Sequence, residues 1–268
     1  MNPPADDGAF ARWLASRAGD ALVAIRGRGF ADAEALKAAG DKGSHDLILT
    51  ELARWRPGDG VLSEEGARTD PARQGADRVW IVDPLDGTRE FAEEGRADWA
   101  VHIGLWARGT GSRGALAAGA VALPALRRVL ATDDPPPYPP PAPDGVIRIA
   151  VSRTRPPALV VAVADALGAT LVPMGSAGAK IVAVVDGEVD AYVHGGGQYE
   201  WDSAAPVAVA TATGLHASRL DGSTLEYNQV DPTLPDLVVC RPELAPALLA
   251  AIGAAIGAPV GDDTGRPD

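Results

Sequence analysis

The chain has 268 residues, long enough for one large domain or for two halves that share a substantial core. Its 36 acidic and 24 basic residues give a net charge of −12. This balance argues against a nucleic-acid polymer or an anionic membrane surface as partner, because both attract excess Lys and Arg. It still permits a small phosphorylated substrate, since divalent cations reverse the sign of the local field.

The only cysteine, Cys240, allows no internal disulfide and predicts a reducing compartment, which we take to be the cytoplasm. Residues 1–7 are acidic and lack the apolar run of a signal peptide. A membrane span is not expected either, because no stretch of about 18 apolar residues occurs.

The first half of the chain mixes helical and strand patterns. Apolar residues at helical spacing predict a helix over residues 10–25 and a second one marked by residues 47–55, with Asp41 near its start. An Asp in such a position is typical of a helix cap. Apolar or alternating runs predict strands over residues 61–62, 79–82, 98–106, 115–123 and 128–132.

Seven prolines in the nine residues 135–143 predict a stiff, extended connector. The expected parts of the chain are an N-terminal α+β half (1–134), a Pro-rich linker (135–145), a C-terminal α/β half (146–256) and a disordered tail (257–268). In the C-terminal half we expect strands over 146–151, 170–172, 190–193 and 238–240, and helices over 158–167, 177–185, 203–213 and 242–256. Such alternation predicts a layered α/β fold.

The segment from Val79 to Phe91 begins as a predicted buried strand and continues into polar residues. Four apolar residues lead into Asp83 and Asp86, and the proline between the two aspartates fixes the backbone. Gly87 permits tight geometry and Thr88 can begin a helix, whose free N–H groups suit a phosphate. Carboxylates that can hold a hard cation, next to backbone N–H groups that can hold an anion, indicate metal-assisted phosphate chemistry.

Two further carboxylates occupy comparable positions, since Glu64 follows a predicted strand and Asp202 heads a predicted helix. If all four converge, a pair of carboxylates 4 Å apart repels by roughly 4 kcal/mol at an effective dielectric near 20, so protons or hard cations must be present. Mg²⁺ prefers carboxylate oxygen and retains waters, one of which can be activated as a nucleophile. The pattern therefore favours hydrolysis by direct attack of an activated water.

Three segments carry a family resemblance: Ser63-Glu64-Glu65, Asp83-Pro84-Leu85-Asp86-Gly87-Thr88 and Trp201-Asp202-Ser203-Ala204-Ala205. In order and spacing they resemble the signatures of the inositol monophosphatase superfamily of Mg²⁺-dependent, Li⁺-sensitive phosphatases, and the likeness extends from Asp41 to about Cys240. The resemblance implies a layered αβαβα sugar-phosphatase fold with two sheets and flanking helices. It also implies two or three Mg²⁺ ions and a small-molecule phosphorylated substrate. We expect a monomer or a homodimer.

The resemblance also implies a role for each matched position. The first ion would be held by Glu64, Asp83 and the Leu85 carbonyl, and the second by Asp83, Asp86 and Asp202. Thr88 would orient the attacking water, and the N–H groups of Gly87 and Thr88 would cradle the phosphate. Asp41 matches the acidic partner of this threonine, although the usual Pro-Val-Thr before it is replaced by Lys37-Ala38-Ala39-Gly40. The implied catalytic residues are Asp41, Thr88 and Glu64.

The substrate is indicated by residues outside the three signatures. Glu90 stands where inositol enzymes usually carry Asn, while Val151-Ser152-Arg153-Thr154 and Gly175-Ser176 with Lys180 resemble the bisphosphate nucleotidase branch. That branch hydrolyses the 3′-phosphate of 3′-phosphoadenosine 5′-phosphate to AMP and phosphate in sulfur assimilation. Inositol phosphates and fructose 1,6-bisphosphate remain alternatives. The implied substrate-binding residues are Asp86, Gly87, Thr88, Ser152, Arg153, Ser176 and Lys180; Arg155 is a further candidate cation.

Two other interpretations fit the sequence less well. Asp-x-x-Asp-Gly-Thr is one residue longer than the nucleophile motif of the haloacid-dehalogenase phosphatases, whose covalent route would leave Glu64 and Asp202 without roles. A non-catalytic, Mg²⁺- or Ca²⁺-loaded binding protein would need neither Thr88 nor a phosphate cradle. The histidines lack metal-ligand spacing to one another, and we expect His102 to be packed or solvated rather than catalytic.

Overall fold

The computed structural model describes residues 2–66, 71–109, 114–142, 144–154 and 156–257. The helices of the first half are α1 (Asp7–Arg26), α2 (Ala33–Trp55) and α3 (Thr88–Ala92). Its strands are β1 (Gly60–Ser63), β2 (Arg78–Asp86), β3 (Ala100–Ala107), β4 (Ala115–Leu123) and β5 (Arg128–Ala131). Short 3₁₀ turns occupy Pro71–Gly75 and Pro124–Leu126.

The second half contains helices α4 (Ala158–Leu167), α5 (Ala177–Val185), α6 (Glu200–Ala212) and α7 (Ala245–Gly257). Its strands are β6 (Arg148–Ser152), β7 (Thr170–Met174), β8 (Ala191–His194), β9 (Gln198–Tyr199), β10 (His216–Ser218), β11 (Thr233–Leu234) and β12 (Leu237–Cys240). The Pro-rich segment between the halves has no helix or strand in its described residues 135–142.

The strands form two five-stranded sheets within the described residues, with orders β1-β2-β3-β4-β5 and β10-β12-β8-β6-β7, and a small β9–β11 pair. In the first sheet β1 runs parallel to β2 and the other neighbours are antiparallel. In the second, β6 runs parallel to both β7 and β8. Since β2 has a strand on either side and is covered on both faces, its residues are almost all buried, as its continuous apolar run predicts.

The layers stack as helix, sheet, helix, sheet, helix. Helices α1 and α2 cover one face of the first sheet, α5 and α6 lie between the sheets, and α4 and α7 cover the far face of the second. Two glycines let α6 approach the first sheet closely: a Cβ at Gly104 would lie 3.0 Å from the Ala205 nitrogen, and one at Gly119 2.8 Å from the Ala208 Cβ. The predicted layered αβαβα architecture is confirmed.

Two local expectations are wrong. The second helix begins at Ala33, because Asp32 caps it by accepting from the Ala35 N–H at 2.8 Å; Asp41 therefore lies in the middle of α2 and does not cap it. Strand β2 also continues through both of its aspartates, with a register shift between Asp83 and Asp86, whereas the sequence predicts a strand over residues 79–82 only. Of the expected disordered tail, Gly257 is the last residue of α7 and residues 258–268 lie outside the described residues, as does Arg155.

No helix in the described part of the chain combines the length and the apolar character that crossing a membrane requires.

Candidate active site

The end of β2 is held rigidly by its surroundings. Asp83 Oδ1 accepts the N–H of Leu85 at 3.0 Å, and the Pro84 carbonyl accepts the hydroxyl of Ser44 in α2 at 2.7 Å. Gly87 follows with φ +85°, and a Cβ there would lie 3.1 Å from that of Ser176, so only glycine combines this conformation with this close approach. The chain thus turns sharply from the two aspartates toward Thr88.

Three carboxylates from distant parts of the chain meet at this point. Asp83 and Asp86 from β2 and Asp202 from the first turn of α6 each offer an oxygen, and the three oxygens lie within 4.8 Å of one another. Asp202 is fixed because its Oδ2 accepts the N–H of Tyr199 at 2.7 Å. Glu64, just after β1, lies beside Asp83. We refer to Glu64, Asp83, Asp86 and Asp202 as the acidic cluster.

The protonation behaviour of the acidic cluster fits a cation site. Burial, reinforced by the neighbouring carboxylates, raises the pKa of Asp202 to about 7 and that of Glu64 to about 7, and raises the pKa of Asp83 well above its ordinary value. Such mutual repulsion is relieved when a divalent ion neutralises the oxygens. An all-oxygen donor set of this kind suits a hard cation such as Mg²⁺.

Asp86 differs from its neighbours because the start of α5 surrounds it with donors. Its Oδ2 accepts from the hydroxyl of Ser176 at 2.5 Å and the N–H of Gly178 at 2.6 Å, and its Oδ1 accepts from the Ala177 N–H at 3.2 Å. Although burial raises the pKa of Asp86, these bonds and the contact with His102 lower it to about 2. Asp86 therefore stays ionised and ties the two halves of the chain together.

His102 belongs to this site, which sequence reasoning missed. The ring is fully buried on β3, with Nδ1 3.0 Å from the Trp201 carbonyl and Nε2 3.2 Å from Asp86 Oδ2. The geometry of the second contact falls short of a hydrogen bond, and Nε2 has no other partner among the described residues. One signal was present in the sequence: an imidazole inside a strand buried on both faces requires polar partners.

Of the expected catalytic residues, Asp41 lies on α2 and Thr88 is the first residue of α3, which follows β2. Gly40 brings α2 against the side chains of Leu85 and Phe91, and Asp41 lies close enough to Glu64 for its charge to raise the pKa of that residue. Burial, together with the charge of Glu65, raises the pKa of Asp41 to about 6. The Thr88 hydroxyl lies 3.5 Å from the Leu85 carbonyl oxygen.

The expected cationic residues are fixed by neighbours. Lys180 is buried, and its Nζ donates to the carbonyls of Ser176 at 2.6 Å and Gly175 at 3.1 Å. Burial lowers the pKa of this ammonium group, although nearby carboxylates oppose the effect. Arg153 is paired with Glu90 Oε1 at 2.7 Å and Glu93 Oε2 at 2.6 Å, so it is not a loose surface charge.

Two cavities adjoin the acidic cluster and share Ser152, Ser176 and Lys180 in their walls. One, of about 240 Å³, is lined also by Gly87, Thr88, Glu90 and Arg153. The other, of about 450 Å³, includes Asp86 and Asp202 in its wall. Two of the residues expected to bind metal, Asp86 and Asp202, therefore line a cavity that shares wall residues with the one lined by most of the residues expected to bind substrate.

The layered αβαβα fold thus carries an acidic cluster that could hold a metal ion, beside small cavities. The chain matches the model of the inositol monophosphatase family over residues 11–134 and 147–256, and it belongs to that family. The chain is thus a phosphatase, and the family expected from its three signature segments is confirmed.

Two relatives from mycobacteria are similar to the chain over most of its length. It is 53% identical over 234 residues to the 3′-phosphoadenosine 5′-phosphate phosphatase of Mycobacterium tuberculosis, covering 86% of this chain and 87% of the relative. The protein of the same name from Mycobacterium leprae is 53% identical over 252 residues, covering 90% and 92%. Among solved structures, CysQ from Bacteroides thetaiotaomicron, described as a bacterial member of the inositol monophosphatase family, superposes with a TM-score of 0.74 at 25% identity, covering 87% of this chain and 96% of that one.

Proposed function

We propose that this enzyme removes the 3′-phosphate of 3′-phosphoadenosine 5′-phosphate, giving AMP and inorganic phosphate. The observation that carries the proposal is the meeting of Asp202 with Asp83 and Asp86 beside cavities that contain Lys180 and Arg153. The mycobacterial relatives named for this reaction support the choice of substrate. We further propose that the reaction takes place in the cytoplasm and serves sulfur assimilation.

The proposed cofactor is Mg²⁺, with two or three ions at the acidic cluster. Glu64, Asp83 and the Leu85 carbonyl would hold one ion, and Asp83, Asp86 and Asp202 another, because these carboxylates are buried or half-buried, close together and mutually repulsive. When bound, such ions supply Lewis acidity toward the phosphate and make a water nucleophilic near neutral pH. Asp83, shared between the two sites, is the ligand on which the arrangement depends most.

The chain's own groups would position the reactants. Thr88 Oγ1 and the Asp41 carboxylate would orient the attacking water and accept its proton, a role that suits Asp41 because burial raises its pKa toward neutrality. The N–H groups of Gly87 and Thr88 would hold the phosphate oxygens. Asp86 accepts hydrogen bonds from Ser176 and Gly178, and would thereby keep the start of α5 aligned with the end of β2.

A substrate with two phosphates needs positive charge beyond the metal site. Lys180, Arg153, Ser152 and Ser176 line the 240 Å³ cavity and would contact the phosphates. Arg153 is already held by Glu90 and Glu93, which fixes its direction before substrate arrives. We expect a monomer or a homodimer.

The decisive experiment compares kcat/KM for adenosine 3′,5′-bisphosphate, fructose 1,6-bisphosphate and inositol 1-phosphate in the same Mg²⁺ buffer, with and without Li⁺. We expect the adenosine compound to be preferred by at least about tenfold and its turnover to fall with Li⁺. A preference for either of the other substrates would contradict the proposal. Absence of turnover with all three would favour a non-catalytic metal-loaded protein.

A further inference from the structure

Helix α2 contacts the two strand ends that carry one set of proposed cation ligands. We call this set the first-ion ligands: Glu64, Asp83 and the Leu85 carbonyl. Two consecutive residues of α2 reach these strand ends through their side chains, Ser44 near the end of β2 and His45 at the end of β1. Neither side chain has a role in the proposed reaction, so these two contacts call for another explanation.

Ser44 holds the peptide group between two of the first-ion ligands. The residue is 0% exposed, and its hydroxyl donates to the Pro84 carbonyl at 2.7 Å. The Leu85 N–H belongs to the same peptide group and donates to Asp83 Oδ1 at 3.0 Å. Because a peptide group is planar, the two bonds together fix its orientation, and with it the direction of the Asp83 carboxylate.

This restraint lies where the sheet itself supplies none. The pairing of β2 with β3 shifts register between Asp83 and Asp86, and the two residues between them have no paired residue in the described strands β1 and β3. An irregularity of this kind leaves backbone groups outside the ladder, and a buried backbone group needs another partner. Ser44 supplies the donor that the Pro84 carbonyl needs.

His45 makes the corresponding contact at β1. Its Nδ1 lies 3.0 Å from the hydroxyl of Ser63, the last residue of the strand, and Ser63 is 4% exposed. A turn begins at this residue, because the Gly66 N–H donates to the Ser63 carbonyl at 3.1 Å. Glu64 is the second residue of that turn. His45 therefore holds the residue from which the chain continues to Glu64.

The remaining carboxylates of the acidic cluster have different anchors. Asp86 accepts hydrogen bonds from α5, and Asp202 accepts one from the residue that precedes α6. Helix α2, in contrast, carries Asp41 three residues before Ser44 and four before His45, a spacing that places all three side chains on one helical face. One face of α2 therefore joins the proposed proton acceptor to the first-ion ligands.

We propose that Ser44 and His45 are positioning residues that set the geometry of the first-ion ligands and thereby the affinity for that ion. They act through Pro84 and Ser63 and do not bind a cation themselves. The inference rests on the proposed function for its ligand set, but it is independent of which phosphate is the substrate. Since Glu64 belongs to the first-ion ligands alone, the effect of His45 should be confined to that ion.

Calorimetric titration of the chelated protein with Mn²⁺ tests this without turnover. In an Asp202→Asn background, which removes a ligand of the other ion only, His45→Leu should weaken Mn²⁺ binding about 10-fold, as the loss of a group that orients a metal ligand does. In a Glu64→Gln background the same change should cost less than about twofold, because its effect passes through Glu64. His45→Asn, which puts an amide in the place of Nδ1, should restore most of the affinity.

Ser44→Ala removes the donor to the Pro84 carbonyl, and it should likewise weaken Mn²⁺ binding in the Asp202→Asn background. Thr50→Ala, which removes an exposed hydroxyl from the same helix, should leave the affinity unchanged.

Equal losses from His45→Leu in both backgrounds, or no loss in either, would overturn the inference, because a side chain that only supports the fold shows no such dependence on Glu64. Dependence on Glu64 in a protein that does not turn over adenosine 3′,5′-bisphosphate would support the positioning role and refute the proposed function. Turnover of that compound without the dependence would refute the positioning role alone.

Discussion

At the scale of single residues, the repulsion within the acidic cluster destabilises the folded protein, and a bound cation would relieve it. Asp83 is 1% exposed, and burial together with the charges of Glu64, Asp86 and Asp202 raises its pKa. Without a cation these carboxylates repel one another in a medium that screens poorly. Asp83 therefore opposes the stability of the metal-free protein, and as a proposed metal ligand it would support that of the metal-loaded protein.

Asp83→Asn should separate these two effects. Because the amide keeps the shape but removes a negative charge, we expect turnover to fall roughly 1,000-fold while the fold persists. The Tm of the chelated protein should stay level or rise, and the Tm increase that Mn²⁺ gives the wild type should disappear. Thermal scans with EDTA and with Mn²⁺ measure both. Asp165→Asn, an exposed change on α4, is the control; near-normal turnover in Asp83→Asn would refute the ligand role.

His102 supports the cluster from β3 by touching both Asp86 and the carbonyl next to Asp202. His102→Leu keeps much of the volume but loses both polar contacts, so we expect Mn²⁺ affinity to fall about 10- to 100-fold, as when groups that orient metal ligands are removed. Calorimetric titration of the chelated protein gives the affinity directly. His216→Leu, on β10, is the matched control, and unchanged affinity in His102→Leu would show that the ring only fills space.

At the scale of elements, the start of α5 depends on one glycine. A Cβ at Gly178 would overlap Nε2 of His102, so that either the helix or the ring must move. A shift of α5 would lengthen the bonds that its first residues donate to Asp86. The close fit between α5 and β3 therefore sets the position of a proposed metal ligand.

Gly178→Ala should destabilise the protein by about 1–3 kcal/mol, as overpacking in a well-packed core does. The matched change Gly253→Ala, in the middle of α7 with no described neighbour within 4 Å of a Cβ, should stabilise by about 0.4–1 kcal/mol through the unfolded chain. Urea unfolding of the two variants measures both values. A gain in stability for Gly178→Ala would mean that α5 moves without penalty.

Elements with strong local patterns could be predicted from the sequence, whereas contacts between distant elements could not. Apolar runs bounded by Gly and Ser give α5 over the residues that the structure shows. The start of α2 was missed because residues 33–46 contain few apolar residues at helical spacing, so the Asp32 cap has no periodic signal after it.

In the candidate active site, too, local patterns could be predicted from the sequence, whereas contacts between distant residues could not. The three signature segments led to the acidic residues, but the contact of His102 with Asp86 joins positions on different strands. The pairing of Arg153 with Glu90 and Glu93 likewise spans the two halves, and no spacing rule within one segment encodes it.

At the scale of the whole molecule, the two sheets share the layer formed by α5 and α6. Helix α6 packs on β3 and β4 through Gly104 and Gly119, and its first turn carries Asp202. Residues from the first sheet and from both helices lie in a single apolar cluster. The proposed metal site thus bridges the same halves that the buried core already joins.

This arrangement predicts that the chain unfolds as one unit and that metal stabilises all of it. Tryptophans lie in both halves, including Trp201 beside Asp202, so fluorescence and far-UV circular dichroism should give coincident denaturant transitions. Mn²⁺ at about 100 times its dissociation constant should raise the free energy of unfolding by about 2.7 kcal/mol by both probes, because the ion binds only the folded chain. Two transitions, with Mn²⁺ moving only one of them, would instead mean that the halves fold independently and that the acidic cluster does not couple them.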